Sequence, residues 1–505
     1  MIRKAEKSDA PVLGQLASQL WPHHTASEME AEMTELLKLR DAAAFLAYDA
    51  EMEVGFAQCS LRHDYVEGTS SSPVGYLEGI YVEPSFRGRG IARQLLSAAE
   101  NWAREQDCRE FFERHEQISL YWSSRILKAF QKYNVSSADF IEITGYGYDD
   151  AGRDKLEKIY AEVFSCEDAL VRVQIMSGTH AIYLALSGLL KHGDTMISLS
   201  GAPYDTLCSV IGILGDSRNS LIANGIKYEQ IDLIGNDFDI PAICDRLKRN
   251  DVRLVEIQRS RGYSSRKSLT LAKIEHVIRE IRKVNQDVII MVDNCYGEFT
   301  EMQEPTEVGA DIIVGSMMKN PGGGIAVTGG YCAGKKELIQ DIAERLTAPM
   351  IGKDLGANMN QLMSLYKGLF LAPAAVCSSM KTMIFAARLL QLCGITNIDP
   401  MYDEERTDIV QTIDFETEAN QVNFCVGMQH ASPVDSFVTP VPGDMPGYPH
   451  EEIMAAGTFT TGSTIELSAD GPVTPPYTVY MQGGLTWEYG KLGIINAVNE
   501  FLSHE

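Results

Sequence analysis

Two apolar runs, Val288-Ile-Ile-Met-Val-Asp293 and Asp311-Ile-Ile-Val-Gly-Ser-Met-Met-Lys319, each end in a residue able to do chemistry. Runs of this kind read as strands buried on both faces, as in a parallel sheet covered by helices. Asp293 and Lys319 lie ~25 residues apart, the spacing of two such strands joined by a short crossover. Open α/β sheets bind their ligands just past the carboxyl ends of the strands. A proline and a glycine triplet, Pro321 to Gly324, follow the second run.

Most lysines are solvated, and a lone one after a strand proves little. Beside apolar neighbours, Lys319 is a candidate for a lowered pKa and for imine formation with an aldehyde. A strand-end acid one crossover upstream is the partner a pyridoxal-phosphate lysine needs. The acid keeps the pyridine nitrogen protonated, so that the ring acts as an electron sink.

The alternation of strand and helix from 170 to 335 predicts a parallel, doubly covered sheet. A strand from Val171 leads to Ser177-Gly178-Thr179, which opens a helix. Backbone N–H groups and two hydroxyls at a helix start hold a phosphate well. Taken alone, an ordinary Ser/Thr cap explains the same residues. Tyr204 follows the run Met196 to Ser200 and either stacks on a ring or simply packs. The strand Val252 to Gln258 ends in Arg259-Ser-Arg261, two arginines suited to a phosphate or a substrate carboxylate, or merely solvated.

With 505 residues, two or more domains are expected. The formal charge of -25 argues against nucleic acid and offers no basic patch to an anionic membrane. The ten cysteines form no CxxC pair, so neither a disulfide framework nor a metal site is predicted. No apolar run is read as membrane-spanning and no leader pattern precedes the first strand, so a cytoplasmic location is the expectation.

The first ~112 residues differ in character from the rest. Strands are predicted over Ala44 to Tyr48, Glu53 to Ser60 and Tyr76 to Val82. The last runs into Glu83-Pro-Ser-Phe-Arg87-Gly88-Arg-Gly90-Ile-Ala92, after which a helix starts. Glycines between a strand and a helix aim several N–H groups at one point, an anion site suited to a pyrophosphate. This segment resembles the GNAT acetyltransferases. Gln19-Leu-Trp-Pro22, Arg62-His-Asp64-Tyr65-Val66, Ser72-Pro73 and Leu77-Glu78-Gly-Ile80 resemble the aminoglycoside 6'-N-acetyltransferases in particular. The resemblance implies acetyl-CoA held by Arg87, Gly88, Gly90 and Ala92. It implies an aminoglycoside-type acceptor lined by Asp64, Tyr65 and Glu78, for which solvated loop and edge positions are the plainer alternative. It stops near Asp107-Cys-Arg-Glu110, about three-quarters of the way through such a domain, so the segment is expected to lack the closing strands.

From ~118 onward, Ser177-Gly-Thr179, Tyr204, Asp293 and Ser316-x-x-Lys319 occur in the order found in fold-type-I pyridoxal-phosphate enzymes of the cystathionine/methionine γ-lyase branch. The match is closer to the methionine γ-lyase-like proteins often labelled aluminium resistance proteins. It is carried by Thr144 to Asp150, Gln258 to Tyr263, Val292 to Phe299, Lys319 to Gly324, Arg345 to Pro349, Ala431 to Asp435, Asp444 to Tyr448 and Ile465 to Pro472.

That resemblance implies a partial GNAT α+β domain (1–112) followed by a fold-type-I domain (113–505), with a large part at about 165–365 built on a mostly parallel sheet covered by helices and a smaller C-terminal α+β part at about 366–505. It implies pyridoxal 5'-phosphate held by Ser177, Gly178, Thr179, Tyr204, Asp293, Tyr296, Ser316 and Lys319. Tyr146 and Tyr148 would be contributed by a neighbour in a homodimer or homotetramer. Lys319 and Tyr204 would be catalytic on a sulfur amino acid. No arginine stands in Ile465 to Gly471, where the γ-lyases bind the substrate carboxylate, so Arg259, Arg261 or Arg345 is expected to substitute. Three functions compete: a carbon–sulfur lyase fused to an acetyltransferase segment, an aminoglycoside acetyltransferase with a passenger domain, and a stress or regulatory protein that binds its cofactors without turnover.

Overall fold

The structure, a computed structural model, describes every residue except 40, 51, 63–73, 146–149, 446, 447, 449, 504 and 505, and the backbone alone at 104–107. It divides into two units, Met1–Glu110 and Phe111–Glu505.

In the first unit, strands β1 (Ile2–Lys4), β2 (Ala42–Asp49), β3 (Met52–Arg62) and β4 (Val74–Val82) form one antiparallel sheet in that order. Side chains alternate across β2. Ala44 and Leu46 pack with helices α1 (Ala10–Leu20) and α2 (Ala26–Leu36), through Leu13, Leu16 and Met33. Ala43, Phe45 and Ala47 meet α3 (Ile91–Asp107), through Leu95 and Trp102. Among the described residues no fifth strand pairs with β4, so this sheet ends on an open edge.

The second unit opens with α4 (Arg109–Lys132) and α5 (Ala151–Val163). Its large sheet then takes β5 (Asp168–Arg172), β6 (Thr195–Ser198), β7 (Lys227–Gln230), β8 (Val252–Gln258), β9 (Ile289–Asp293), β10 (Ile312–Ser316) and β11 (Gly330–Gly334). The helices between and after these strands are α6 (Gly178–Leu189), α7 (Asp205–Ile211), α8 (Ile240–Leu247), α9 (Leu271–Val284) and α10 (Lys336–Leu346). The strand order is β5-β11-β10-β9-β8-β6-β7. On β9, Ile290 and Val292 join one hydrophobic layer while Ile289 and Met291 join the other, so the strand is covered on both faces. Helix α9 earns its place by pattern, burying Leu271, Ile274, Val277, Ile278 and Ile281 on one face after a Thr270 cap.

The sheet is mostly parallel, as expected, with β11 running antiparallel to its neighbours β10 and β5. Thirteen-odd residues of loop without a crossover helix return β10 to β11, and a parallel return needs such a helix. The strand expected from Val171 onward instead ends at Arg172, so the residues up to Ser177 form a connecting turn.

Helix α11 (Leu362–Leu392) links the two parts of this unit. Against expectation, it is long and apolar enough by length and composition to cross a membrane. Two-thirds of its apolar window, 67%, is buried inside the chain, as in the core helix of a folded domain. The smaller sheet comprises β12 (Ile398–Asp399), β13 (Val410–Asp414), β14 (Gly443–Asp444), β15 (Glu451–Ala455), β16 (Ser468–Pro472) and β17 (Thr478–Gln482), in the order β12-β13-β17-β16-β15-β14. Helix α12 (Glu418–His430) packs on it, and α13 (Trp487–Ser503) packs on α12 through Phe501 and Phe424.

Candidate active site

The carboxyl ends of β8, β9 and β10 open into a cavity of about 430 Å3 in the second unit. Ser177, Gly178, Thr179, Tyr204, Asp293, Tyr296, Ser316 and Lys319 all line it. These residues span 143 positions of sequence and come from four separate strand ends and the connections after them. They meet because each lies just past the end of a strand or at the start of the following helix.

At the opening of α6, Ser177 caps the helix, its Oγ accepting the His180 N–H at 3.1 Å. A side chain at Gly178 would place its Cβ 3.1 Å from Cys295 Sγ and 3.5 Å from Ser316 Cβ, so glycine keeps the approach open. Thr179 Oγ1 is 3.0 Å from the Tyr204 hydroxyl. Ser316 Oγ accepts the Met318 N–H at 3.2 Å. The first-turn N–H groups and these three hydroxyls make a donor set for an oxyanion.

Asp293 is buried, and its Oδ1 accepts the Cys295 N–H at 3.1 Å. Burial pushes its pKa up; the Lys319 charge opposes this. Lys319 Nζ sits 3.8 Å from the centre of the Tyr296 ring. Burial pulls the lysine down, but Cys295, Tyr296, Asp293 and Tyr204 together push it well above its ordinary value. The expectation of a lowered lysine pKa is therefore overturned: the apolar neighbours in sequence, Met317 and Met318, are not what surrounds the ammonium. Tyr204 is driven far up by burial and by Asp293, so its hydroxyl keeps its proton.

Tyr296 adopts φ of 71°, a conformation that bulky residues avoid. Asn320 holds it there, its Nδ2 donating to the carbonyls of Tyr296 and Glu298, each at 2.9 Å.

The three arginines expected to meet the substrate carboxylate are elsewhere. Arg259 is fully buried beneath the loop after β9, bonded to Asn294 Oδ1 at 2.8 Å and Glu301 at 2.9 Å. Arg261 pairs with Asp399 and donates to Thr412. Arg345 lies on α10, beside Tyr183 and Ser187. All three are committed to holding loops and helices together, and none lines the cavity. Tyr146 and Tyr148 fall outside the described residues, as do Asp64 and Tyr65.

Sequence reasoning passed over the wall contributed by the small sheet. Ser468 and Asp470 on β16, and Tyr480 and Gln482 on β17, share one face by strand alternation and line the cavity. Gln258 and Tyr263 join them. Both segments were singled out as motifs, but their arginines drew the attention that belonged to these neighbours.

In the first unit, Gly88 and Gly90 have φ of 80° and 78°, and an added Cβ would meet nothing at either. Arg87 is exposed and donates through Nε to the Val82 carbonyl at 2.9 Å. The loop thus has the open, left-handed glycine geometry of an anion cradle ahead of α3. Glu78 is not a free acid, since Arg62 Nη2 pairs with it at 2.7 Å and Ser60 donates to it at 2.6 Å. Burial works against its charge, but these contacts hold its pKa below the usual range.

The methionine gamma-lyase family matches residues 97–502. The chain belongs to the methionine gamma-lyase family. Its relative YnbB, an uncharacterized protein of Bacillus subtilis, is 45% identical over 79% of this chain and 95% of that protein. The solved structure of a carbon-sulfur lyase involved in aluminum resistance from Clostridium novyi is 44% identical, with a TM-score of 0.75 over 78% of this chain and 93% of that one. The acetyltransferase (GNAT) family matches residues 13–121. There the aminoglycoside N(6')-acetyltransferase type 1 of Stenotrophomonas maltophilia is 49% identical over 22% of this chain and 71% of that protein. This methionine gamma-lyase family member thus carries a GNAT segment at its front, and its larger unit has the fold of pyridoxal-phosphate-dependent lyase structures.

Proposed function

We propose that the larger unit is a pyridoxal-phosphate-dependent carbon–sulfur lyase acting on a sulfur amino acid. The observation that carries this reading is the convergence of Asp293, Lys319, Tyr204, Ser316 and the Ser177–Thr179 helix start on one cavity. The donor set fits the cofactor: an oxyanion site, a buried acid and a buried amine in a space of about 430 Å3. Ser177, Gly178, Thr179 and Ser316 would hold the phosphate, Asp293 the pyridine nitrogen, Tyr204 the ring face and Lys319 the aldehyde carbon. When bound, the cofactor supplies an electron sink for a carbanion at the substrate α-carbon.

The chain's own residues do the rest. Lys319 Nζ, as a neutral amine, would take the α-proton of the substrate. Its raised pKa makes the neutral amine a stronger base for that step. Tyr204, whose pKa burial raises, shares a hydrogen bond of 3.0 Å with Thr179 Oγ1 and is positioned to hand on a proton beside Lys319. Tyr296 holds the ammonium over its ring between proton transfers. Loss of the sulfur leaving group as a thiol leaves an enamine, and water hydrolyses its imine tautomer to ammonia and a keto acid. The expected assembly is a homodimer or homotetramer. Resistance to aluminium, in which the Clostridium relative is involved, would be a consequence of this chemistry.

Absorption spectra of the purified protein, recorded before and after L-cystathionine, L-cysteine or L-methionine, test the reading. A visible cofactor band that changes with substrate, together with keto-acid release, is the expected result. A colourless protein that cannot be reconstituted would overturn it.

A second activity is favoured by a separate observation, the open glycine loop at Arg87 to Gly90. The first unit would bind acetyl-CoA through this loop and transfer acetyl to an amino group. Calorimetry with acetyl-CoA, on the full chain, reads this directly.

A further inference from the structure

With Arg259, Arg261 and Arg345 committed elsewhere, the α-carboxylate of an amino acid has no guanidinium to meet. Lys319 is the only basic side chain among the described residues lining the cavity, and the proposed chemistry commits it to the cofactor. Asp205 and Asp470 line the same cavity, so a carboxylate set beside either would meet like charge. It needs neutral donors that are not already in use.

The connection from β15 to β16 supplies them. Thr461, Gly462, Ser463 and Thr464 all line the cavity. The other serine and threonine hydroxyls on its described wall are spoken for. Those of the α6 start and Ser316 make the oxyanion set. Thr206 Oγ1 lies 3.4 Å from Thr179 Oγ1, Ser260 Oγ donates to Asp408 at 2.7 Å, and Ser468 Oγ accepts Gln482 Nε2 at 3.4 Å. Ser463 is 3% exposed, and among the described residues its hydroxyl has no hydrogen-bond partner. Thr464 Oγ1 is buried and equally unpartnered. A buried hydroxyl left unpaired carries a desolvation cost that a ligand oxygen would relieve.

The backbone here is preset. The Ser463 N–H donates to the Thr460 carbonyl at 2.9 Å, closing a turn whose third residue, Gly462, has φ of 83°. Glycine takes that conformation without strain. The turn is anchored from behind by Glu466, which is 2% exposed and accepts the N–H groups of Phe459 and Thr460 at 2.8 and 3.1 Å. An added Cβ at Gly462 would lie 3.4 Å from Met318 Cε, so the turn packs against the residue that precedes Lys319. Donors placed there are held rigidly on the lysine's side of the cavity.

We propose that the turn at 461–464 binds the substrate α-carboxylate, with the Ser463 and Thr464 hydroxyls as its donors in place of an arginine. This rests on the reading of the Lys319 cavity as a pyridoxal-phosphate site for an amino acid. It assigns the specificity for an α-carboxylate to residues remote in sequence from every arginine of the chain's motifs.

Two ligands that differ only in the carboxylate, L-norleucine and n-pentylamine, test this. Each is titrated into the cofactor-loaded full chain at pH 8, and the change in the cofactor band gives an apparent Kd. The native protein is expected to bind norleucine at least about tenfold more tightly, the effect of hydrogen bonds to one charged group. Ser463→Ala, and separately Thr464→Val, should weaken norleucine by about tenfold and pentylamine by less than about twofold. A purely structural role would weaken both ligands alike. Two conservative variants are used so that a folding failure in one leaves the other to decide. A native protein that binds the two ligands equally, a norleucine preference that survives in the variants, or an equal loss for both ligands overturns the proposal. A protein that takes up no cofactor removes the reading of the Lys319 site, and this proposal with it. A loaded protein without the carboxylate effect removes the proposal alone.

Discussion

The ammonium of Lys319 lies 3.8 Å from the centre of the Tyr296 ring, and Tyr296 holds that position at a backbone φ of 71°. The strain is maintained by Asn320, immediately after the lysine in sequence, whose amide reaches back to the Tyr296 and Glu298 carbonyls. Cation and ring are thus fastened to each other through the backbone as well as face to face. Contacts of this kind contribute about 0.5–2 kcal/mol to the charged form. Tyr296→Leu should therefore lower the pKa of Lys319. Imine formation needs the neutral amine, so the apo protein should capture pyridoxal phosphate about fivefold faster at pH 8. Stopped-flow absorbance of cofactor uptake reads this, and an unchanged or slower rate would contradict it.

Asp293 and Lys319 have separable tasks. Asp293→Asn keeps the lysine and so should keep a coloured protein, while losing the acid that holds the pyridine nitrogen protonated. Keto-acid production should fall by about 10²–10³, the cost of removing one preorganised electrostatic partner. A coupled keto-acid assay on spectroscopically loaded protein measures it.

Arg345 offers the opposite expectation. It lies with Tyr183 and Ser187 on the outer helices and lines no part of the cavity. Arg345→Met should change KM for any accepted amino acid by less than about twofold, as for a surface substitution remote from the site. A large KM increase with kcat unchanged would restore it as a substrate ligand.

Stability of the larger unit depends on a buried ion pair at the end of β5. Arg172 Nε donates to Glu157 Oε1 at 2.7 Å, both side chains are nearly inaccessible, and Lys353 joins at 3.1 Å. Removing one partner strands the others, so Glu157→Ala should cost about 3–5 kcal/mol in denaturant unfolding. Burial opposes the charge on Glu157, but Arg172 and Lys353 hold its pKa below the ordinary 4.5. Its folded value is thus depressed, and its contribution is full above pH 4.5 and lost as the pH falls through that lower value. Acid unfolding of Glu157→Ala should accordingly show a weaker pH dependence below pH 4.5 than the native chain.

Much of this site was legible because a sheet's strand ends announce themselves in sequence. Apolar runs fixed where β9 and β10 stop, and the residues just past them, Asp293 and Lys319, had to share an edge. Tyr204 and Ser177–Thr179 followed from the same rule. The arginines misled because a guanidinium in a strand-end motif reads identically whether it meets a ligand or, like Arg259, a buried glutamate. Asp470 was hidden for a different reason. Its strand pairs with its neighbours in sequence, β15 and β17, but the face it presents to the cavity depends on a register that local pattern does not set. The antiparallel β11 was equally out of reach, since strand direction is decided by the connection and not by the strand.

The most direct test of the account is reduction with sodium borohydride of the protein incubated with pyridoxal phosphate, followed by proteolysis and peptide mass spectrometry. The account predicts a pyridoxyl group fixed on the peptide carrying Lys319, and no such adduct in Lys319→Ala. Labelling spread over surface lysines, or concentrated on a different lysine, would contradict it.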